Sequence, residues 1–402
     1  MVKKLIGLIL FLGVLVSEPS HAGESGFMLQ ATATKHTLRH YFPQADVKQA
    51  DRINTVMLKP KLRPPSWTDR IPFGVAIDST KNTAYYLLYE SFFSKKIVPF
   101  PNMEFKKLAD ISANTDGQVA LADVGGNQIQ FFQFKYPHLS STAFVKVTAP
   151  RRVEFDYQGR LWCLGQAGLS IFQPGKDNLE PMKAEAALIN ATLGSEVPID
   201  LSINRQGNAV ILAGQSLYQF LPDGTLSGTA NIQAPYCAIE TSAYGEIFCL
   251  RANEKKFDIY SSGLTYMLSV DVSEAFTEQP LDLTIYDNFG YVIINALHQG
   301  AYYGMGVAIA APNFVSIGEA EDGYQIQFML TMPAYLWITV NGQTLDQKRV
   351  VVENVLQRSG RQSVFWDGKI DGKPVKNATV VIRATAAYSL GNTAKSELKV
   401  SL

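Results

Sequence analysis

Beyond a run near its start, the 402-residue chain has no apolar stretch long enough to cross a bilayer, which takes about 20 residues. It has no excess charge either, with 36 basic residues against 36 acidic ones. A nucleic-acid binder shows a strongly basic face, so that class is excluded. There are five histidines and three cysteines, and no C-x-x-C. Metal sites built on that spacing are therefore absent. Neither the G-x-S-x-G elbow of serine hydrolases nor the H-E-x-x-H of zinc peptidases occurs. No residue set reads as a catalytic centre.

The first 22 residues have the three zones of a secretory signal. Lys3 and Lys4 supply the positive start, Leu5 to Val16 the apolar core, and Ser20-His21-Ala22 a small-x-small cleavage site. No cysteine follows the apolar run, which removes a lipid anchor, and a retained helical anchor is the weaker alternative. Cleavage after Ala22 removes Lys3, Lys4 and Glu18 and leaves 34 basic against 35 acidic residues. The mature chain is expected to be periplasmic or extracellular, without a transmembrane segment.

The middle of the chain has almost no helical periodicity and many short alternating apolar runs, which calls for a search for repeats. Six segments superpose: Pro72–Asp78, Leu108–Asn114, Pro150–Asp156, Pro198–Asn204, Pro235–Thr241 and Pro280–Tyr286. Their starts lie 36, 42, 48, 37 and 45 residues apart, the length of a four-stranded propeller blade at about 40–50. Each reads as a strand running into a tight turn. The fourth position is apolar in all six: Val75, Ile111, Val153, Leu201, Ala238 and Leu283. Asn114, Asp156 and Asn204 are each followed three residues later by glycine. The Asx side chain closes such a turn and glycine supplies the positive φ. Second strands follow at 118–122, 160–164, 208–212, 246–250 and 291–295. A β-sandwich is the rival architecture, and the super-period argues against it.

The pattern resembles NHL-type β-propeller repeats, in which a P-x-G-apolar-x-apolar-D run precedes the glycine turn; the glycine after proline survives here only in Gly74. The resemblance spans residues 66–315 and implies about six blades. Residues 23–65 form an N-terminal segment, of which 26–34 could supply the strand that closes the ring.

From about Asp322 the pattern changes to long alternating strands with Asp-Gly turns. Tyr324–Leu330, Ala334–Val340 and Ala378–Thr385 flank Trp366-Asp-Gly368 and Asp371-Gly372. Strands so spaced suit an immunoglobulin-like sandwich. The W-D-G-x-x-D-G-x-x-V string resembles the Ig-like domain of flagellar hook-cap proteins, placed here at 316–402. Asn377 stands where that pattern has a glycine, and would take its left-handed backbone; Thr379 replaces the usual tyrosine. Trp366 is expected in the core. The overall fold class is thus all-β.

Candidate chemistry follows from the repeat. The first strand of a blade lines the central channel, so the third residue of each segment contributes to one ring: Gly74, Asp110, Arg152, Asp200, Cys237 and Asp282. Asp110, Arg152, Asp200 and Asp282 are the candidate ligand-binding set, for a divalent cation or a polar ligand carrying both charges. The alternative is that they bond neighbouring blades and cap strands. The family resemblance further implies a metal on the axis, as in gluconolactonase-like enzymes and NHL-type lyases, though their ligands find no residue-by-residue match here. His36 and His40, four apart, are weighed as a solvated pair against a metal site, and Asp123 and Asp287 as turn residues. If the blade-five hairpin closes through Thr241 and Gly245, Cys237 faces Cys249 within disulfide reach, leaving Cys163 as a buried thiol; otherwise all three are buried and free.

Two functions remain open. One is a non-catalytic binding or assembly protein of the bacterial cell envelope, acting on a protein or polysaccharide. The other is a metal-dependent lactonase or lyase working in the channel.

Overall fold

The computed structural model describes residues 52–56, 73–91, 94–100, 104–135, 138–174, 179–286, 291–296, 300–304, 309–317, 323–344, 346–387 and 393–401. The expected export signal, residues 26–34, His36, His40, Asp287 and His298 lie outside them.

Six antiparallel sheets follow one another along the chain, each in simple up-and-down order. The first holds Arg52–Val56, Phe73–Asp78, Thr83–Ser91 and Ser94–Pro99, and the second Leu108–Ala113, Gln118–Asp123, Gln128–Lys135 and His138–Lys146. The third, fourth and fifth begin at Arg152–Phe155, Pro198–Ile203 and Tyr236–Thr241. The sixth has three strands among the described residues: Asp282–Tyr286, Tyr291–Asn295 and Gly300–Gly304. Each first strand lies beside the first strand of the next sheet, and Asp282–Tyr286 lies beside Arg52–Val56. The ring closes. This is a six-bladed propeller.

Asx turns set the blades. Asn204 Oδ1 accepts the N–H groups of Gln206 and Asn208 at 3.0 Å each, and Asn114 and Asp156 act alike on their turns. In blade five Ser242 Oγ takes the same two bonds, from Tyr244 and Glu246. Gly117 and Gly207 sit at φ 76° and 84°, where a Cβ would be strained.

The first repeat is offset from its expected place. Phe73–Asp78 is the second strand of its blade, because Arg52–Val56 pairs with its inner edge. Asp78 still closes an Asx turn, onto Thr80 and Lys81. Strand, Asx turn and strand describe any hairpin of a blade, which is why the alignment slipped by one strand. The propeller accordingly starts by Arg52, ahead of residue 66.

The apolar core lies between blades. Second strands such as Leu161–Gly165 and Ala209–Ala213 are buried throughout. Leu161 and Cys163 pack towards blade two, while Trp162 and Leu164 pack towards blade four. Both faces of such a strand are covered, so it reads as a continuous apolar run. One helix went unanticipated: Lys183–Leu193 packs Ala186 and Ile189 against blades three and four. Its Asn190 side chain accepts the Leu169 N–H at 2.8 Å and donates to the Leu169 carbonyl at 2.9 Å. These are the bonds a longer outer strand would make, since Leu179–Pro181 pairs with only part of its neighbour.

A sandwich follows the propeller. One sheet runs Ile309–Ile317, Gly323–Leu330, Gly360–Trp366; the other runs Lys348–Gln357, Ala334–Asn341, Asn377–Ala386, Thr393–Ser401. Because Ile309–Ile317 pairs with Gly323–Leu330, the module starts earlier than residue 316. Ile326, Phe328, Leu336, Ile338 and Ile382 fill its core with Trp366, whose Nε1–H donates to the Lys369 carbonyl at 3.1 Å. Asn377 has no positive φ; the left-handed positions leading up to it are Gly368, Asp371 and Gly372. The two Asp-Gly turns thus absorb the reversal, and Asn377 simply opens a strand.

Blade five and the sandwich meet at Glu246, which is 1% exposed. Ser359 donates to its Oε1 at 2.5 Å and Ser242 to its Oε2. Tyr244 packs onto the sandwich core and Met329 onto the core of blades five and six. Removing one partner of a buried bond leaves the others unsatisfied, at about 1–3 kcal/mol. Glu246→Ala should therefore lower stability in guanidinium unfolding by about that amount, and Ser359→Ala by less. An unchanged midpoint for both would show that the junction contributes nothing.

Candidate functional site

The inner strand of each blade is a sheet edge facing the channel. Every second backbone N–H there has no strand to bond, and a buried unpaired donor is costly. The structure meets that need with side chains from the preceding blade. Asp110 Oδ2 accepts the Val153 N–H at 2.9 Å, and Ser112 Oγ accepts that of Phe155 at 3.1 Å. Two blades on, Asp200 Oδ2 accepts from Ile239 at 2.9 Å and Ser202 Oγ from Thr241 at 2.9 Å. The unit is Asp-x-Ser, with both polar side chains on one face of the strand.

Arg152 holds the equivalent place in blade three and has no acceptor to offer. Its Nε donates to Asp200 Oδ1 at 2.9 Å instead. The Leu201 N–H, which Arg152 leaves unserved, is taken by the same Asp200 Oδ1 at 3.0 Å.

The ring expected from the repeat is therefore formed in part. Asp110, Arg152, Asp200 and Asp282 stand on the inner strands of blades two, three, four and six. Gly74 is on a second strand and lies outside the ring. Cys237 is also displaced: Ala238 stands opposite Leu250 as Asp200 stands opposite Leu212, and Cys237 falls in the bulge before it, where blade four has Ile199. The turn undoes the cross-strand cysteine pair as well: it closes at Ser242, one residue later than Thr241, so Ile239 faces Cys249. All three cysteines are free. Burial pushes the Cys163 and Cys249 thiols up, with Asp110 adding to the first and Asp258 to the second. Such thiols are inert packing groups.

Two members of the site went unrecognised in the repeat. Glu154 and Glu240 lie two residues beyond Arg152 and Ala238, at the place of the serine. Ser112 hydrogen-bonds to Glu154, and Ser202 donates to Glu240 Oε1 at 3.1 Å. Each serine thus accepts a backbone N–H and donates to a carboxyl of the same neighbouring strand. Blades two and four carry Asp-x-Ser and blade six Asp282-Leu-Thr284, while blades three and five carry the glutamates. The polar fifth position of the aligned segments (Ser112, Glu154, Ser202, Thr284) was the available signal.

The carboxyls converge. Desolvation raises Glu154 well above the usual carboxylate range, with Asp110, Asp200 and Asp282 adding repulsion against the relief from Ser112. Desolvation likewise dominates at Glu240, followed by the charge of Glu154. Arg152 is the cation seen among them. Among the described residues, no three or more His, Cys, Asp or Glu side chains are arranged to hold a metal ion. The oxygens of Asp110 and Asp200 point instead at backbone donors. Asp123, a turn residue as expected, accepts from Lys106, Lys107 and Gly126.

No family model matches the chain, and no curated protein does. Among solved structures it is similar to the extracellular domain of a one component system from B. thetaiotaomicron, at 10% identity and TM-score 0.42, covering 92% of this chain. The chain spans only 58% of that domain's length. It is also similar to regucalcin, a calcium-binding protein from Agrobacterium tumefaciens, at 12% identity and TM-score 0.43, covering 65% of this chain and 92% of that one. Streptogramin B lyase stands at 12% identity and TM-score 0.43, with 65% and 96% covered. Likeness at this level names neither ligand nor activity.

A raised carboxyl favours the fold at low pH. Its contribution is complete below the unfolded value, about 4.3 for Glu, and is lost as pH climbs through the folded value. The melting temperature should therefore fall as pH rises above the unfolded value. Glu154→Gln with Glu240→Gln, which keeps acceptors for both serines, should flatten that fall and melt higher at pH 8. Parallel pH profiles for wild type and variant would contradict the assignment.

Proposed function

We propose that the chain is an exported, non-catalytic binding or assembly protein that offers a propeller face and an Ig-like module to a partner in the cell envelope. Residues 1–22 serve as the export signal, and the propeller and sandwich are divergent relatives of the NHL and hook-cap modules. No helix among the described residues is long and apolar enough to cross a membrane. The observation that carries the reading is the use already made of the ring. Asp200 alone accepts from Arg152, Leu201 and Ile239, so its oxygens hold the blades together. Rigid platforms of this kind carry recognition on their surfaces and loops.

A second reading, the metal-dependent lactonase or lyase, draws on Glu154 and Glu240. A carboxylic acid kept protonated near neutral pH can act as a general acid.

Elemental analysis and thermal shifts with Ca²⁺, Mg²⁺, Mn²⁺ and Zn²⁺ separate the two. A cation at a hundred times its dissociation constant would stabilise the fold by about 2.7 kcal/mol, a shift of several degrees. The binding reading expects no stoichiometric metal and no such shift. A bound ion whose effect disappears in Asp200→Asn with Asp282→Asn would overturn it.

A further inference from the structure

The outward face of the sandwich's four-stranded sheet combines aromatic rings with a row of cations. Tyr335 and Trp337 are two residues apart on Ala334–Asn341, so both project from the same face, about 7 Å apart. Their neighbours at odd positions share it, while Leu336, Ile338 and Val340 are buried in the core. Tyr335 is 40% exposed and stands opposite Leu356, itself 46% exposed. Arg383 pairs with Trp337 on the other side, and Lys395 pairs with Arg383 beyond it. Lys399 lies on the same face of the last strand.

Charge is gathered here. Residues 323–402 hold ten Lys and Arg against five Asp and Glu, so residues 1–322 hold 26 against 31. The face carries two carboxylates against Arg383, Lys395 and Lys399: Glu353, exposed on the strand beside Trp337, and Glu397, which is bonded by Lys395. That bond holds it below the usual carboxylate range, and the charges of Lys399 and Arg383 add to the effect. The surplus is positive and exposed.

We propose that this face binds an anionic polysaccharide, with sugar rings stacked on Tyr335 and Trp337 and the acidic groups met by Arg383, Lys395 and Lys399. The proposal rests on the binding reading above and names its ligand class. A flat sheet about four strands wide suits an extended polymer. The lysines argue against a protein partner, because Lys is depleted at protein interfaces. Single-stranded nucleic acid also pairs stacking with cations, and an exported chain meets polysaccharide rather than nucleic acid in the envelope.

The test is native affinity electrophoresis of the full mature chain in gels cast with alginate, uncharged dextran, poly-glutamate or single-stranded DNA. We expect retardation by alginate that weakens as salt rises, and none by dextran. Tyr335→Ala with Trp337→Ala should weaken alginate binding at least about tenfold, as should Lys395→Ser with Lys399→Ser, a factor worth 1.4 kcal/mol. Melting temperatures of these surface variants should stay at the wild-type value; Tyr335→Ser alone serves if the pair misfolds, with weaker binding again expected. Several results would each overturn the proposal. They are no retardation by alginate, equal retardation by dextran, tighter binding of poly-glutamate or DNA, or binding insensitive to the aromatic changes. None of them touches the broader binding reading, which the metal analysis judges separately.

Discussion

A propeller places one unpaired strand edge of every blade against its axis, and the backbone donors along that edge must be satisfied. In this chain the preceding blade does so, through Asp110 and Ser112 onto Val153 and Phe155, and through Asp200 and Ser202 onto Ile239 and Thr241. Bonds to a carboxylate contribute about 1.5–3 kcal/mol each, and neutral ones about 0.5–1.5. The aspartates are therefore the stronger members of each unit. The same pairs of blades enclose the apolar layers in which Cys163 and Cys249 are buried.

The arrangement has an electrostatic cost. Acceptors chosen to meet backbone donors are acidic, and the alternate blades add Glu154 and Glu240 to the same channel. The raised proton affinity of Glu154 and Glu240 and the guanidinium of Arg152 ease the repulsion. Arg152 shows how closely the terms are balanced. It removes one acceptor from the series, and Asp200 compensates by taking both its charge and the donor it leaves behind. On the proposed binding reading, a channel so occupied with its own bonds leaves recognition to the outer surfaces, such as the basic, aromatic face of the sandwich.

Much of the fold was legible in the residues. The Asx and glycine turns at Asn114, Asp156 and Asn204 are where the repeat put them, and so is the core position of Trp366. What failed did so for local reasons. Phe73–Asp78 has the signature of every blade hairpin, and nothing in it says which strand is innermost. The turn of blade five closes at Ser242, one residue later than Thr241, enough to remove Cys237 from the ring and from its expected partner. The helix Lys183–Leu193 is short, and its link to blade three is the side chain of Asn190, which no periodicity reveals. Glu154 and Glu240 have no counterpart at the ring position itself, although strand geometry sends residues two apart to the same face.

Hydrogen exchange read by mass spectrometry tests the central claim most directly. Peptides covering 152–155 and 236–241 should exchange slowly, although half of their amides face the channel with no strand beside them. Asp110→Ala with Ser112→Ala should speed exchange in 152–155 and leave 236–241 protected, and Asp200→Ala with Ser202→Ala should do the reverse. Fast exchange of both segments in the wild type, or protection unchanged by either pair, would contradict the account.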